Sequence, residues 1–206
     1  MKKNNVQCET RAHGVTLLHG NHKKIVPLKK SYTPTEHGHK VWPTSWLLID
    51  YLEKTRLVSD KRVMDLGCGW GLSGIYCAKE QGAQVTCVDI DAAVEPYVNV
   101  MAKVNKVQVQ YCNLGIEHIP RSLLHNVDVI IASDICFCDS LIDPLRRLIQ
   151  RAKKACVEHI LISDPGRWPF DDLCELFARK KGVELIAWQT EEPSSVNGTI
   201  LSIQLS

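Results

Sequence analysis

Two hydrophobic periods take turns along this chain. From Arg62 onward, short apolar runs of strand type alternate with longer stretches whose apolar residues fall three and four apart, as in strands each followed by a helix. "RVMDL" reads as a strand and "GLSGIYCAKEQG" as the helix after it. "QVTCVDI" is the second strand, "AAVEPYVNVMAKVN" its helix, with Pro96 tolerated near the start, and "VQVQYCNL" the third strand. "VDVIIASD" is apolar without interruption, as a strand covered on both faces should be. A helix over "LIDPLRRLIQRAKKA", a strand over "EHILISD" and a helix over "PFDDLCELFARKKG" follow. The last two strands, "VELIAWQ" and "GTILSIQL", are joined by the turn-rich "TEEPSSVNG" with no helix between them, so they should pair antiparallel.

That order predicts an α/β fold, a Rossmann-like three-layer sandwich whose seven-stranded, mostly parallel sheet ends in an antiparallel C-terminal hairpin. Ahead of it, "PTSWLLIDYLEKTRL" carries a helical apolar face of Leu47, Leu48, Tyr51 and Leu52, with Pro43 at an early helix position. In residues 1–40, "GVTLL" and "KKIVPLK" flank His19-Gly20-Asn21, which predicts a short β-hairpin, and "TPTEHGHKVWP" reads as loop. The expected organisation is a basic N-terminal arm over residues 1–40 and one domain over 41–206.

A chain of 206 residues that is 45% hydrophobic has enough apolar material for one sizeable core. Its net charge of +2 makes no case for nucleic-acid binding, but the charge is uneven, with eight Lys/Arg against two Glu in residues 1–40. Such an arm is either a solvated appendage or a means of steering an acidic partner. Five of the eight histidines fall in it, without a third ligand at a clear spacing, so no metal is expected. No run is apolar enough to span a membrane and the N-terminus has no signal-peptide core, which predicts a cytoplasmic protein with no membrane partner. The nine cysteines form no C-x-x-C pair and sit mostly in apolar stretches, as reduced, buried thiols do. Cys136 and Cys138 in "DICFCD" read the same way, ahead of a redox or nucleophilic role.

The chemistry concentrates in "VMDLGCGWGLSG", a strand-to-helix junction in which Gly69-x-Gly71-x-x-Gly74 matches the dinucleotide fingerprint. Asp89 closes the second strand about 20 residues on, where it can hydrogen-bond a ribose diol. Dinucleotides and S-adenosylmethionine both carry that ribose. Asp65, at the end of the first strand, separates them: it would repel a pyrophosphate and attract an ammonium or sulfonium, which ranks the methyl donor ahead. No Lys-Ser/Thr follows the glycines, so the loop is not a P-loop.

"VMDLGCGWG" followed by "VTCVDID" resembles the first two motifs of class I, seven-β-strand S-adenosylmethionine-dependent methyltransferases over about residues 41–206. "VWPTSWLLIDYL", "ASDICF" and "ISDPGR" are similar to the protein-lysine methyltransferase group that includes the electron-transfer flavoprotein β-subunit lysine methyltransferase and its bacterial relatives. The resemblance implies that S-adenosylmethionine binds and leaves as S-adenosylhomocysteine, with no metal. It assigns Gly67, Cys68 and Gly69 to the methionine part of the donor and Asp65 to its ammonium. Asp89 falls to the ribose, Ile90, Asn113 and Leu114 to the adenine, Trp42 to closing over the donor and Ser133 to a contact beneath it. On the acceptor side it implies a catalytic pair, Asp134 and Phe137, where relatives carry Asp-x-x-Tyr. Phenylalanine leaves any tyrosine-hydroxyl role unfilled and keeps an aromatic wall for a cation. Asp164, Arg167 and Trp168 in "DPGRW" either meet the acceptor or only fix a turn.

The implied reaction is in-line N-methylation of a protein lysine, with Asp134 orienting the amine and receiving or relaying its proton. A small-molecule acceptor is the alternative, and a catalytically silent donor-binding scaffold stands behind it. The Asn/Asp-Pro-Pro-aromatic pattern that clasps a flipped base is missing, so no nucleic-acid acceptor is expected.

Overall fold

The computed structural model describes residues 8–35 and 37–205; residues 1–7 and Glu36 of the basic arm, and Ser206, lie outside the described residues. The strands are β1 (Glu9–Ala12), β2 (Val15–Leu18), β3 (Arg62–Leu66), β4 (Gln84–Asp89), β5 (Gln110–Asn113), β6 (Val129–Ser133), β7 (His159–Asp164), β8 (Val183–Thr190) and β9 (Val196–Gln204). The helices are α1 (Val26–Ser31), α2 (Thr44–Thr55), α3 (Leu72–Glu80), α4 (Glu95–Asn105), α5 (Arg121–Leu124), α6 (Ile142–Lys154) and α7 (Trp168–Glu175).

Seven strands form one sheet in the order β5-β4-β3-β6-β7-β9-β8. The first five run parallel, and β9 is antiparallel to both β7 and β8, as the missing helix between the last two strands requires. One face is covered by α2, α3 and α4, the other by α5, α6 and α7, and the apolar residues of β3 and β6 divide between the two cores. In α6, Leu145, Leu148, Ile149 and Ala152 form the buried stripe, at the three- and four-residue spacing that gave the helix away.

The arm departs from its expected form. Its hairpin pairs β1 with β2 around His13 and Gly14, while Val26–Ser31 is helical. The glycine after His19 suggested the turn, but Ile25, wholly buried, and Pro27 in the first helical turn set the segment as α1. The hairpin of the arm docks on the domain, while most of residues 21–40 that are described are exposed. Val15 and Leu18 are buried, and the side chain of Asn105 on α4 accepts from the Thr16 N–H at 2.7 Å and donates to the Thr16 carbonyl at 2.8 Å. At the hairpin turn, the rings and carboxylates of His13, Asp50 and Glu53 converge. His13 bonds Glu53 at 2.8 Å, and Asp50 accepts from Lys54 and from the Trp188 indole, which ties the hairpin to α2 and β8.

Some boundaries are shorter than the pattern suggested. β5 begins at Gln110 rather than Val107, and α7 ends at Glu175, after which the chain turns toward Gly182. Among the described residues there is no disulfide and no helix long and apolar enough to cross a membrane.

Candidate active site

β3 and β6 lie side by side while the chain runs outward from them in opposite directions, so their carboxyl ends open a crevice at the switch in strand order. A cavity of about 390 Å³ occupies it, within the size range of small-molecule sites. Ten of the twelve residues singled out from the sequence line it: Trp42, Gly67, Cys68, Gly69, Asp89, Ile90, Leu114, Ser133, Asp134 and Phe137. Asp65 and Asn113 do not.

The glycine loop owes its shape to positions that disfavour a side chain. Gly67 has φ +63°, and a Cβ there would lie 2.9 Å from Ile135 Cδ1; at Gly69, φ +51°, the same position faces open space. The loop is clamped to β4: the N–H groups of Gly67 and Cys68 donate to the Val88 carbonyl, and that of Gly69 donates to Asp89 Oδ2 at 2.9 Å. Asp89 Oδ1 accepts from the Asp91 N–H at 3.0 Å. Each oxygen thus holds one backbone donor and keeps lone-pair capacity for a diol, and burial raises the group's pKa above the ordinary carboxylate range. Asn113 serves the same wall from behind, its amide donating to the carbonyls of Asp89 and Ile90.

Asp65 sits beneath the loop, 2% exposed, with Oδ2 accepting from the Gly74 N–H at 2.9 Å in the first turn of α3. Burial pushes its pKa up to about 7, opposed by the Gly74 N–H and reinforced by Asp89. A carboxyl whose folded pKa exceeds its unfolded one stabilises the fold at low pH and loses that contribution as pH rises through the folded value. We expect urea unfolding to show about 1.4 kcal/mol less stability at pH 8 than at pH 6 from this group, the cost of one pKa unit. Asp65→Asn, which keeps an acceptor for Gly74, should flatten that slope; an unchanged slope would count against the assignment.

Across the cavity, Asp134 follows β6 in the left-handed conformation, φ +57°. Its Oδ1 lies 2.9 Å from Arg167 Nη2, and its Oδ2 is buried with no hydrogen bond of good geometry, the Thr44 N–H being the backbone donor that faces the carboxylate. Burial pushes its pKa up to about 6, with Arg167 pulling it down, Asp164 pushing it up, and Lys40 and the Thr44 backbone pulling it down. Arg167 also grips Asp164, wholly buried at the end of β7, through Nε at 3.1 Å and Nη2 at 2.5 Å. Asp164 Oδ1 in turn accepts from the N–H groups of Gly166 and Arg167, which sets the "DPGR" turn. Trp168 projects from the start of α7, 58% exposed, and is not among the lining residues.

Aromatic and basic side chains from the segment before α2 form the outer wall. The His37 ring meets Phe137 edge-on with centroids 4.5 Å apart, and Trp42 donates from its indole to the His37 carbonyl at 3.1 Å. Lys40 Nζ lies 4.0 Å from the Trp42 ring centroid, and Trp70 fastens the segment by donating to the Gly38 carbonyl at 2.8 Å. Ser45 Oγ meets Ser133 Oγ at 3.0 Å. Of these, His37, Lys40, Ser45 and Trp70 were not read from the sequence as site residues; "HGHK" stood out only as a pair of histidines. Cys136 is fully buried, donates from Sγ to the Pro169 carbonyl, and has a thiol pushed up to about 12 by burial, which fits packing and not nucleophilic chemistry.

A family model described as "Lysine methyltransferase" matches residues 22–167. Among curated proteins, the electron transfer flavoprotein beta subunit lysine methyltransferase of Danio rerio is 29% identical over 132 residues, 64% of this chain and 50% of its own length. The ubiquinone biosynthesis O-methyltransferase of Nitrosospira multiformis is 28% identical over 134 residues, 64% of this chain and 49% of its own. The chain spans about half the length of these curated relatives. Among solved structures, the human methyltransferase 10 domain containing protein superposes with a TM-score of 0.62 at 12% identity, covering 81% of this chain and 86% of that one, a likeness of fold.

Proposed function

The chain belongs to the lysine methyltransferase family, whose model matches residues 22–167, and from that membership we propose that it uses S-adenosylmethionine to methylate a lysine side chain of a protein. The observation that carries the reading is Asp134. One of its oxygens is pinned by Arg167 and the other is buried with no hydrogen bond of good geometry, on a residue that shares a cavity with the glycine loop and Phe137.

Gly67, Cys68 and Gly69 would cradle the amino-acid end of the donor, with Asp65 beneath them, its ionised form favoured by the donor's ammonium. Asp89 would take the ribose hydroxyls, Ile90 and Leu114 would pack on the adenine with Asn113 holding their wall, Ser133 would contact the donor from below, and Trp42 would cover it. When bound, the donor supplies an electrophilic methyl group on a sulfonium. The chain's own work falls on the acceptor. An amine with a solution pKa of about 10.4 must lose its proton before it can attack. Asp134, at about 6, is ionised at neutral pH, and burial makes it a better proton acceptor than an exposed carboxylate. Phe137 would offer an aromatic wall to a methylated cation, and apolar walls would exclude the water that keeps the amine protonated.

A small-molecule acceptor is the second reading, favoured by the similarity to the O-methyltransferase of Nitrosospira multiformis. The two separate in one experiment. Radiolabelled S-adenosylmethionine is incubated with the protein and a host lysate lacking it, and the products are divided by acid precipitation, protease and nuclease. Label in a protease-sensitive band, stable as methyl-lysine on hydrolysis, is the expected result. Label confined to the acid-soluble fraction would replace the lysine reading with the second one.

A further inference from the structure

Behind the outer wall lies a second cavity of about 400 Å³, bounded by the β1–β2 hairpin, α1, the start of α2 and the turn between β8 and β9. It adjoins the first: Lys40, Val41 and Trp70 line both. It has apolar lining from Leu17, Leu18 and Trp46, neutral hydroxyls from Thr10 and Ser194, and formal charge of one sign only. Lys29, Lys40, His19 and His39 line it, and no aspartate or glutamate does.

Neither ammonium group forms a close ion pair among the described residues; Lys40 lies over the Trp42 ring and acts on Asp134 at longer range. Lys29 is exposed, and its Nζ lies 2.2 Å from where a Cβ on Gly20 would stand, so the glycine leaves room for the ammonium at the rim. His19 is oriented by a 2.7 Å hydrogen bond between Nε2 and Thr10 Oγ1. A concave, partly apolar pocket lined by two ammonium groups and no carboxylate attracts an acidic side chain.

We propose that this second cavity is the subsite for acidic side chains flanking the acceptor, so that the substrate is a protein whose target lysine lies in an acidic sequence. The proposal rests on the lysine reading above and deepens it. The shared wall of Lys40, Val41 and Trp70 makes the two sites neighbours, so that a chain entering the first with its lysine lays its adjacent residues over the second. The same geometry disfavours a nucleic acid, whose backbone needs a continuous basic groove rather than a bounded pocket, and the net charge of the whole chain is only +2. The hairpin and α1 thus acquire a purpose that packing alone does not give them: they complete a basic pocket beside the acceptor entrance.

The test is fluorescence anisotropy with a labelled short peptide bearing one lysine flanked by glutamates, its glutamine isostere, and a single-stranded RNA, each titrated with protein saturated with S-adenosylhomocysteine. The protein is tested as wild type, Lys29→Ala and Lys29→Glu. The acidic peptide is expected to bind roughly tenfold tighter than the glutamine peptide, about 1.4 kcal/mol. Added salt should erode the preference, and Lys29→Glu should abolish it. Equal affinity for the two peptides, no peptide binding, a preference untouched in both Lys29 variants, or tighter binding of the RNA would each overturn the proposal. Thermal unfolding with S-adenosylhomocysteine is read in parallel. A stabilising shift there with no acidic preference sinks the subsite alone, whereas no shift in the wild type sinks the donor reading itself.

Discussion

Replacing Asp134 with asparagine is expected to lower turnover by at least about a hundredfold, within the range removed when a general base is lost, and to leave the thermal shift caused by S-adenosylhomocysteine unchanged. The variant is conservative where the fold is concerned. Asp134 stands at φ +57°, a region that asparagine enters more readily than most residues, and an amide oxygen can still accept from Arg167 at the Oδ1 position. What changes is the other oxygen, now buried with no hydrogen bond of good geometry. Asparagine places an amide N–H there, which donates rather than accepts and cannot take a proton from an amine. The pH profile gives a second readout. With Asp134 at about 6, kcat/KM for the wild type should fall on the acid side through that value as the carboxylate is protonated, and the variant should lack this limb. Undiminished turnover, with the limb intact, would remove Asp134 from the reaction.

How much of this site was legible in the sequence depends on how far apart its parts lie. The glycine loop and Asp89 were readable because a strand, a turn and a helix N-terminus are consecutive, and the spacing to the next strand end is a property of one β-α-β unit. The strands themselves were readable because β6 and β7 are covered on both faces and so are apolar nearly throughout. The arm was misread because its signals are weak and local. A glycine after His19 looked like a hairpin turn, whereas the pairing is decided by β2 docking on α4 through Asn105, 89 residues from Thr16. Asp65 was correctly seen at a strand end, but whether its side chain reaches the cavity or tucks under the loop depends on the Gly74 N–H, which only the closed turn presents. The bond between Asp134 and Arg167 has no sequence signature at all. It exists because β6 and β7 are parallel neighbours in register, Ser133 beside Ser163, so the residues that follow each strand emerge together.

That pairing makes Arg167 the position where fold and chemistry are hardest to separate, and Arg167→Met is the variant that separates them. Removing the guanidinium leaves Asp164, wholly buried, without its cation, and the expected loss of stability at pH 8 is about 3 kcal/mol. The low end of the range for broken buried pairs applies, because the Gly166 and Arg167 N–H groups still hold Asp164 Oδ1 and Arg167 itself is 31% exposed. The loss should shrink at pH 5. Without the cation, the pKa of Asp134 rises further above its unfolded value, so the variant recovers stability as pH falls and protonation relieves the repulsion with Asp164. The same change predicts a kinetic effect: the acid limb of kcat/KM should move above 6, because Arg167 opposes the burial that raises Asp134. Arg167→Lys keeps a charge without the fork that grips two carboxylates, so it should restore the position of the limb more fully than it restores stability. Urea midpoints at pH 5 and 8 and kcat/KM across the same range measure both. A destabilised Arg167→Met protein whose acid limb stays at its wild-type pH would confine Arg167 to holding the turn; a limb displaced upward shows it acting through Asp134 as a positioning residue.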